Sequence, residues 1–270
     1  MTPTQDLQDL SAALRQPAAG PVHLVPFLPG GHLSADASRA AFEALADAGA
    51  SALEVGIPYS DPIADGPAIQ AAYHDALVAG VTVDSALTAG QISGPTPRLA
   101  MVSFSVIRRR GVDCFLRDLR ERGYGGVLAP DLPPPEAEPF CESARAAGVA
   151  PILLVAPNTP AKRRETIGRL AGGFIYYLSV AGITGERDRL PPELADGVRD
   201  MRGHTDLPIC VGFGVSRHDH LEQLAGLADG AIVGSAFVRA AESAREAGPA
   251  GVARAVGELA RRLIGRVTRD

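Results

Sequence analysis

Lysine is almost missing from this chain. Among 270 residues Lys162 is the only one, and arginine supplies the remaining permanent positive charge. A GC-rich coding sequence is the plain source of that bias. Its consequence is chemical: a Schiff-base mechanism needs a lysine amine, so only Lys162 could serve one. Cysteine is scarce as well. Cys114, Cys141 and Cys210 are an odd set without metal-ligand spacing, which implies reduced thiols in a cytoplasmic protein. No apolar run approaches the ~18 residues that a membrane span requires. The first twenty residues lack a basic segment followed by an apolar one, so no secretory signal is expected. The net charge of −5 offers no argument for nucleic acid or an anionic membrane as partner.

Short apolar runs are present instead, at fairly regular spacing. They are HLVPFL (23–28), ALEVGI (52–57), RLAMVSF (98–104), GGVLAP (125–130), PILLVA (151–156), FIYYLSV (174–180), PICVGFG (208–214) and GAIVGSA (230–236). Each is bounded by Gly or Pro and suits a strand buried on both faces. Between them lie stretches with helical spacing, such as 38–50, with Gly49 as C-cap, 115–124, and a last helix at 249–265. Eight strands alternating with helices, without a linker, predict an α/β fold: one (β/α)8 TIM barrel over 1–270 with extra terminal helices. Residues 1–20 form an N-terminal helix or arm in this reading, and 266–270 a frayed tail. An open doubly wound sheet is the runner-up, disfavoured because no GxGxxG follows the first strand.

Barrel enzymes gather their chemistry at the C-terminal ends of the strands. The stretch LEVGIPYSDPIADGPAIQ (53–70) is rich in such chemistry. Glu54 lies inside the second strand, where a carboxylate is costly unless it is paired or used, so a raised pKa is expected. A structural glutamate satisfied by backbone or arginine is the bland alternative. Asp61 and Asp65 follow in the loop; Asp61, before Pro62, suits a cap or an Asx turn, whereas Asp65 can turn inward. At the other end, VGFGVSR (211–217) and IVGSAFV (232–238) follow strands seven and eight, where barrels often hold phosphate on glycine N–H groups. Gly185 can add a donor. The loop 181–197 is long, charged and glycine-hinged, which fits a lid. HDH (218–220) reads as exposed residues at a helix start without a third metal ligand, and RRR (108–110) as a solvated face. His23 and His32 have no obvious partner. These residues describe a cytoplasmic barrel enzyme that binds a small phosphorylated molecule and uses two or three carboxylates for proton transfer, without metal and without Schiff base.

LEVGIPYSDPIADGPAIQ also closely resembles the signature of the tryptophan synthase alpha chain family. The resemblance continues through APDLPPPE (129–136), ILLVAPNTP (152–160), YYLSVAGITG (176–185), VGFGVS (211–216) and GSAFV (234–238). It implies retro-aldol cleavage of indole-3-glycerol phosphate to indole and glyceraldehyde 3-phosphate. No cofactor is implied in this chain; pyridoxal phosphate is expected in a beta chain partner, within an alpha2beta2 assembly. By position, Glu54 matches the acid/base that protonates indole C3, and Asp65 the carboxylate at the indole N–H. Tyr176 matches an active-site tyrosine, and Thr184 a threonine that closes the lid on the strand 2 loop. Gly185, Gly214, Gly234 and Ser235 match the phosphate cradle. Phe27, Leu128 and Phe213 match the apolar walls around the indole.

The chain departs from the family after strand one, where PGGHLS (29–34) replaces a Gly-Asp-Pro, and after strand three, where SFS (103–105) replaces a tyrosine and an asparagine. The first change touches the expected beta-chain face and the second the indole end of the pocket. Rival readings are a stand-alone lyase that releases indole without a beta chain, a non-catalytic regulatory or scaffold homologue, and another phosphate-binding barrel. The presence of Glu54 together with Asp65 speaks against the second. The third would need a groove for a long apolar tail, of which the sequence has no signature.

Overall fold

The computed structural model describes residues 10–16, 18–62, 65–179, 191, 193–212, 214 and 216–265. Its strands are β1 (His23–Pro29), β2 (Leu53–Gly56), β3 (Arg98–Met101), β4 (Gly126–Leu128), β5 (Ala150–Val155), β6 (Ile175–Leu178), β7 (Ile209–Gly212) and β8 (Gly230–Val233). All pair in parallel, and β8 returns to β1, so the sheet is a closed barrel in chain order. The helices are α1 (Leu10–Ala13), α2 (Ala35–Asp47), α3 (Pro67–Val78), α4 (Val83–Ala89), α5 (Phe104–Arg110), α6 (Val112–Glu121), α7 (Pro134–Ala146), α8 (Ala161–Leu170), α9 (Leu194–Arg202), α10 (His218–Leu224), α11 (Ser235–Ser243) and α12 (Gly248–Leu263). Closure removes every sheet edge, and the helices cover the outer face, so the strands are buried along almost their whole length.

Register decides which side chains fill the interior. Phe27 pairs with Glu54, Glu54 with Leu99, and Leu99 with Gly126, so these residues share the inner face. Farther round, Tyr176 pairs with Cys210, and Gly212 with Ile232. The side-chain period of two then points Gly56 inward as well, one step nearer the C-terminal mouth than Glu54.

The N-terminal end of the barrel is plugged by α1. Leu10 is 1% exposed, and its Cδ1 stands 2.5 Å from where a Cβ on Gly126 would be. Above it His23 shares a hydrogen bond of 2.7 Å between Nδ1 and the Ser51 hydroxyl. That histidine therefore has a partner that its sequence neighbourhood does not reveal.

Several local expectations are corrected. Helix α2 ends at Asp47 with Ala48 as its C-cap, and Gly49 follows with φ +102°, so the glycine is the residue beyond the cap. HDH is not an exposed triplet: His220 is buried and accepts from the Ser216 N–H, while His218 Nδ1 meets the Leu263 carbonyl at 2.7 Å. The arginine run is a solvated face at Arg108 and Arg109, which are exposed, whereas Arg110 is half-buried and pairs with both Asp84 and Asp118. The stretch 181–197 is not loop throughout, since α9 begins at Leu194; its residues 181–190 and 192 lie outside the described residues, as do the start of the N-terminal arm and the tail 266–270.

Truncating the plug tests this packing away from the mouth. Leu10→Ala should cost about 2–5 kcal/mol, the range for a large core side chain cut to a methyl, in urea unfolding. Turnover in native buffer should stay at the parent level, because the other end of the barrel carries the polar site. A loss of turnover without a loss of stability would contradict that division.

Candidate active site

Two carboxylates converge at the C-terminal mouth. Glu54 stands on β2 and is 1% exposed. Its Oε1 is buried and has no hydrogen-bond partner among the described residues. Loss of water, and secondarily the nearby Asp65 charge, raises its pKa to about 8. The acid is therefore neutral near pH 7, as its place inside a strand led us to expect.

Asp65 arrives from the loop between β2 and α3 and is 6% exposed. Burial raises its pKa to about 6. Asp65 immediately precedes Gly66, the N-cap of α3. Asp65 thus ionises before Glu54, and the pair settles as one anion beside one neutral acid. Two features fix this loop. Pro67 occupies the first helical position, where its missing N–H costs nothing. The Gln70 amide reaches back to donate to the Asp65 carbonyl at 2.7 Å and the Pro62 carbonyl at 3.2 Å. Asp61 is exposed, and neither it nor Asp65 caps α3, for which no side-chain cap exists.

Tyr176 enters from β6 and is buried; Glu54 and Asp65 both help to raise its phenol well above the ordinary value, after desolvation. A Cβ on Gly212 would come within 2.3 Å of its ring, so the glycine on β7 makes the space for this tyrosine. Phe27 and Leu128 are buried on β1 and β4 and give the interior apolar walls. Gly214 has φ +85°, a conformation open to glycine. Gly234 is the N-cap of α11 and Ser235 its first residue, so free N–H groups of that first turn face the mouth. Thr184, Gly185 and Phe213 lie outside the described residues.

Three features of this mouth were not assigned from the sequence. Gln70 braces the Asp65 loop, although only its position four residues beyond the N-cap hinted at that. Tyr59 packs against Tyr73 with ring centres 5.5 Å apart, and Tyr73 against Phe27 at 6.3 Å. Beside them, a recess of about 730 Å³ runs between the β2 loop and α5, lined in part by Tyr59, Asp61, Leu77, Ser103, Ser105 and Asp131. Asp131 organises its far wall by accepting from the Ser103 hydroxyl and the Phe104 N–H, both at 2.7 Å. The SFS departure lies in this recess. Lys162 is exposed on the first turn of α8. Among the described residues no group of three or more His, Cys, Asp or Glu converges on one point.

The whole chain has relatives of the same kind. Residues 14–263 match the family model described as tryptophan synthase alpha chain. A tryptophan synthase alpha chain from Rhodopirellula baltica is 43% identical over 92% of this chain and 91% of its own length. One from Streptomyces avermitilis is 40% identical over 97% and 95%. Among solved structures, a mutant tryptophan synthase alpha-subunit from the hyperthermophile Pyrococcus furiosus superposes with a TM-score of 0.82 at 32% identity, covering 91% of this chain and 98% of that one. With the closed barrel and the acidic pair Glu54 and Asp65 already in place, these matches mean that the chain belongs to the tryptophan synthase alpha chain family, lyases that cleave indole-3-glycerol phosphate in tryptophan biosynthesis.

Proposed function

We propose that Glu54 and Asp65 carry the retro-aldol cleavage that yields indole and glyceraldehyde 3-phosphate. The observation that carries this reading is the pairing of a fully buried, neutral glutamic acid with a more readily ionised aspartate. The leaving group is a carbon, so C3 of the indole must gain a proton for the bond to break. A carboxylic acid kept neutral near pH 7 can deliver it. Protonation leaves positive charge on the ring, and an ionised Asp65 at the indole N–H stabilises that cation. Glu54, now a carboxylate, takes up the proton released as the glycerol hydroxyl becomes the aldehyde. The acid is thereby regenerated.

Phosphate is assigned to Gly214, Gly234 and Ser235, with Gly185 as a further donor. Support comes from the first turn of α11, whose N–H groups lack intrahelical acceptors and whose dipole favours an anion. Phe27, Leu128 and Phe213 would hold the indole, Tyr176 would complete the polar wall, and Thr184 would close on the β2 loop. Pyridoxal phosphate is assigned to the beta partner, because the mouth has no lysine among its described residues and Lys162 is exposed on α8. A beta chain is proposed to dock over the recess beside the mouth. The exposed Leu77 and Val78 near its edge support that placement. Free cysteines, and the absence of any helix long and apolar enough to cross a membrane among the described residues, support a cytoplasmic location.

Glu54→Gln keeps the shape and removes the transferable proton. Indole release should fall by about 10²–10⁴-fold, and Asp65→Asn should lose a similar factor. Near-parent turnover of Glu54→Gln would end the assignment.

Activity should follow a bell in pH. It rises as Asp65 loses its proton near 6 and declines as Glu54 loses its own near 8. A kcat/KM profile still rising past the alkaline value would contradict the order of ionisation.

The same shift has a sign in stability. A raised carboxyl pKa means that the folded chain binds a proton which the unfolded chain releases above about pH 4.3. The pH-dependent part of the cost of burying Glu54 is therefore absent below that pH and grows as pH rises toward the folded value near 8. Glu54→Gln should stabilise the chain by on the order of 2–4 kcal/mol at about pH 7.5, and the gain should vanish toward about pH 4 in urea unfolding. An equal effect at both pH values would show that the carboxyl is not held neutral by the fold.

A further inference from the structure

Helix α3 does more than carry the strand 2 loop. Its buried residues Ile69, Ala72, Tyr73 and Ala76 form one stripe at helical spacing, the ordinary pattern of a packing face. The tyrosine does not behave as ordinary packing. Its hydroxyl is fully buried and has no hydrogen-bond partner among the described residues. Buried polar groups are nearly always satisfied, and one left open at the mouth of a pocket needs a reason. Its location supplies one. A Cβ on Gly56 would stand 2.5 Å from that hydroxyl and 2.6 Å from the Phe27 ring. The phenol therefore occupies the notch left by the missing side chain of Gly56. That notch opens on the inner face of β2, one inward step beyond Glu54. Glu54 Oε1 is the other buried atom there without a partner. One donor and one acceptor thus stand unbonded on the same inner wall.

We propose that Tyr73 is a positioning residue for Glu54: its hydroxyl, held over Gly56, donates a hydrogen bond to the carboxylate that forms when Glu54 gives up its proton. This inference rests on the reading of Glu54 as the proton donor. While Glu54 is neutral, the phenol can remain unbonded. Once Glu54 is ionised, its bare oxygen is the strongest acceptor within reach. Tyr73 stays protonated throughout, because burial, with the charges of Asp65, Tyr59, Glu54 and Tyr176, holds its phenol well above the ordinary value. The titratable neighbours of Glu54 are Asp65 from the β2 loop, Tyr73 from α3, Tyr176 from β6 and Cys210 from β7. Its strand neighbours Phe27 and Leu99 are apolar. No cation is among these groups, so a neutral donor is what the site offers to a new negative charge.

The test is Tyr73→Phe, which removes one oxygen and keeps the ring in its slot. The expected result is a kcat lower by about 10- to 100-fold, the loss of one hydrogen bond to a charged group, with KM within about twofold of the parent. The alkaline limb of the kcat profile should move to higher pH, since the ionised form of Glu54 has lost a donor. Thermal stability should not fall, because the deleted hydroxyl is unsatisfied in the resting chain. Parent-like kcat and an unmoved limb would overturn the proposal. So would a raised KM with the limb unmoved, which would make the hydroxyl a substrate contact, or a fall in stability that accounts for the lost activity. Should the Phe variant fail to fold, 3-fluorotyrosine at position 73 keeps the shape and sharpens the donor; the limb should then move down, and an unmoved limb overturns the proposal. Glu54→Gln is assayed in parallel. If it retains turnover, the acid assignment fails; if it is dead while Tyr73→Phe matches the parent, only the role of Tyr73 fails.

Discussion

A carboxyl group without water is the constraint around which this barrel is arranged. Glu54 is fixed on the inner face of β2, between Phe27 of β1 and Leu99 of β3, where no cation among the described residues compensates its charge. Such a group resolves its cost by keeping its proton. Everything at the mouth then acquires a direction. Asp65, one loop away and at a helix N-terminus, takes the negative charge. The tyrosines crowd in as neutral groups, and glycines at 56 and 212 give them space. A neutral acid beside an anion is what a carbon leaving group on an indole ring demands.

The arrangement separates stability from function along the barrel axis. The N-terminal end is closed by an apolar plug, Leu10 over Gly126. At the C-terminal end, buried polar atoms stand without partners, among them Glu54 Oε1 and the Tyr73 hydroxyl. Each such atom destabilises the resting chain. Natural proteins accept that cost where the missing partner is supplied during the reaction.

Much of this was legible in the sequence, for identifiable reasons. Strands buried on both faces read as short apolar runs, so all eight were visible, although six were drawn one to three residues wide at an end, β1 stopped one residue short and β5 was shifted by one. The sequence LEVG announces a buried acid because a glutamate between leucine and valine has no solvent face. Asp65 could be separated from Asp61 because a proline follows the latter. What was not legible depends on contacts between distant segments. Tyr73 looks like a core residue until the notch at Gly56 is seen. His220 looked exposed because only its own helix start was considered, while its burial comes from the fold around α10. Arg108 and Arg110 find acids on α4, α6 and α7 that no local pattern links to them.

The account turns on the proton of Glu54, which vibrational spectroscopy can observe directly. Difference infrared spectra of the parent against Glu54→Gln, titrated in the absence of substrate, isolate the carbonyl stretch of this one carboxylic acid. The account predicts a protonated band at about pH 7 that is replaced by carboxylate only as pH passes about 8. A carboxylate band already complete at about pH 6, as for an ordinary glutamate of pKa about 4.3, would contradict it.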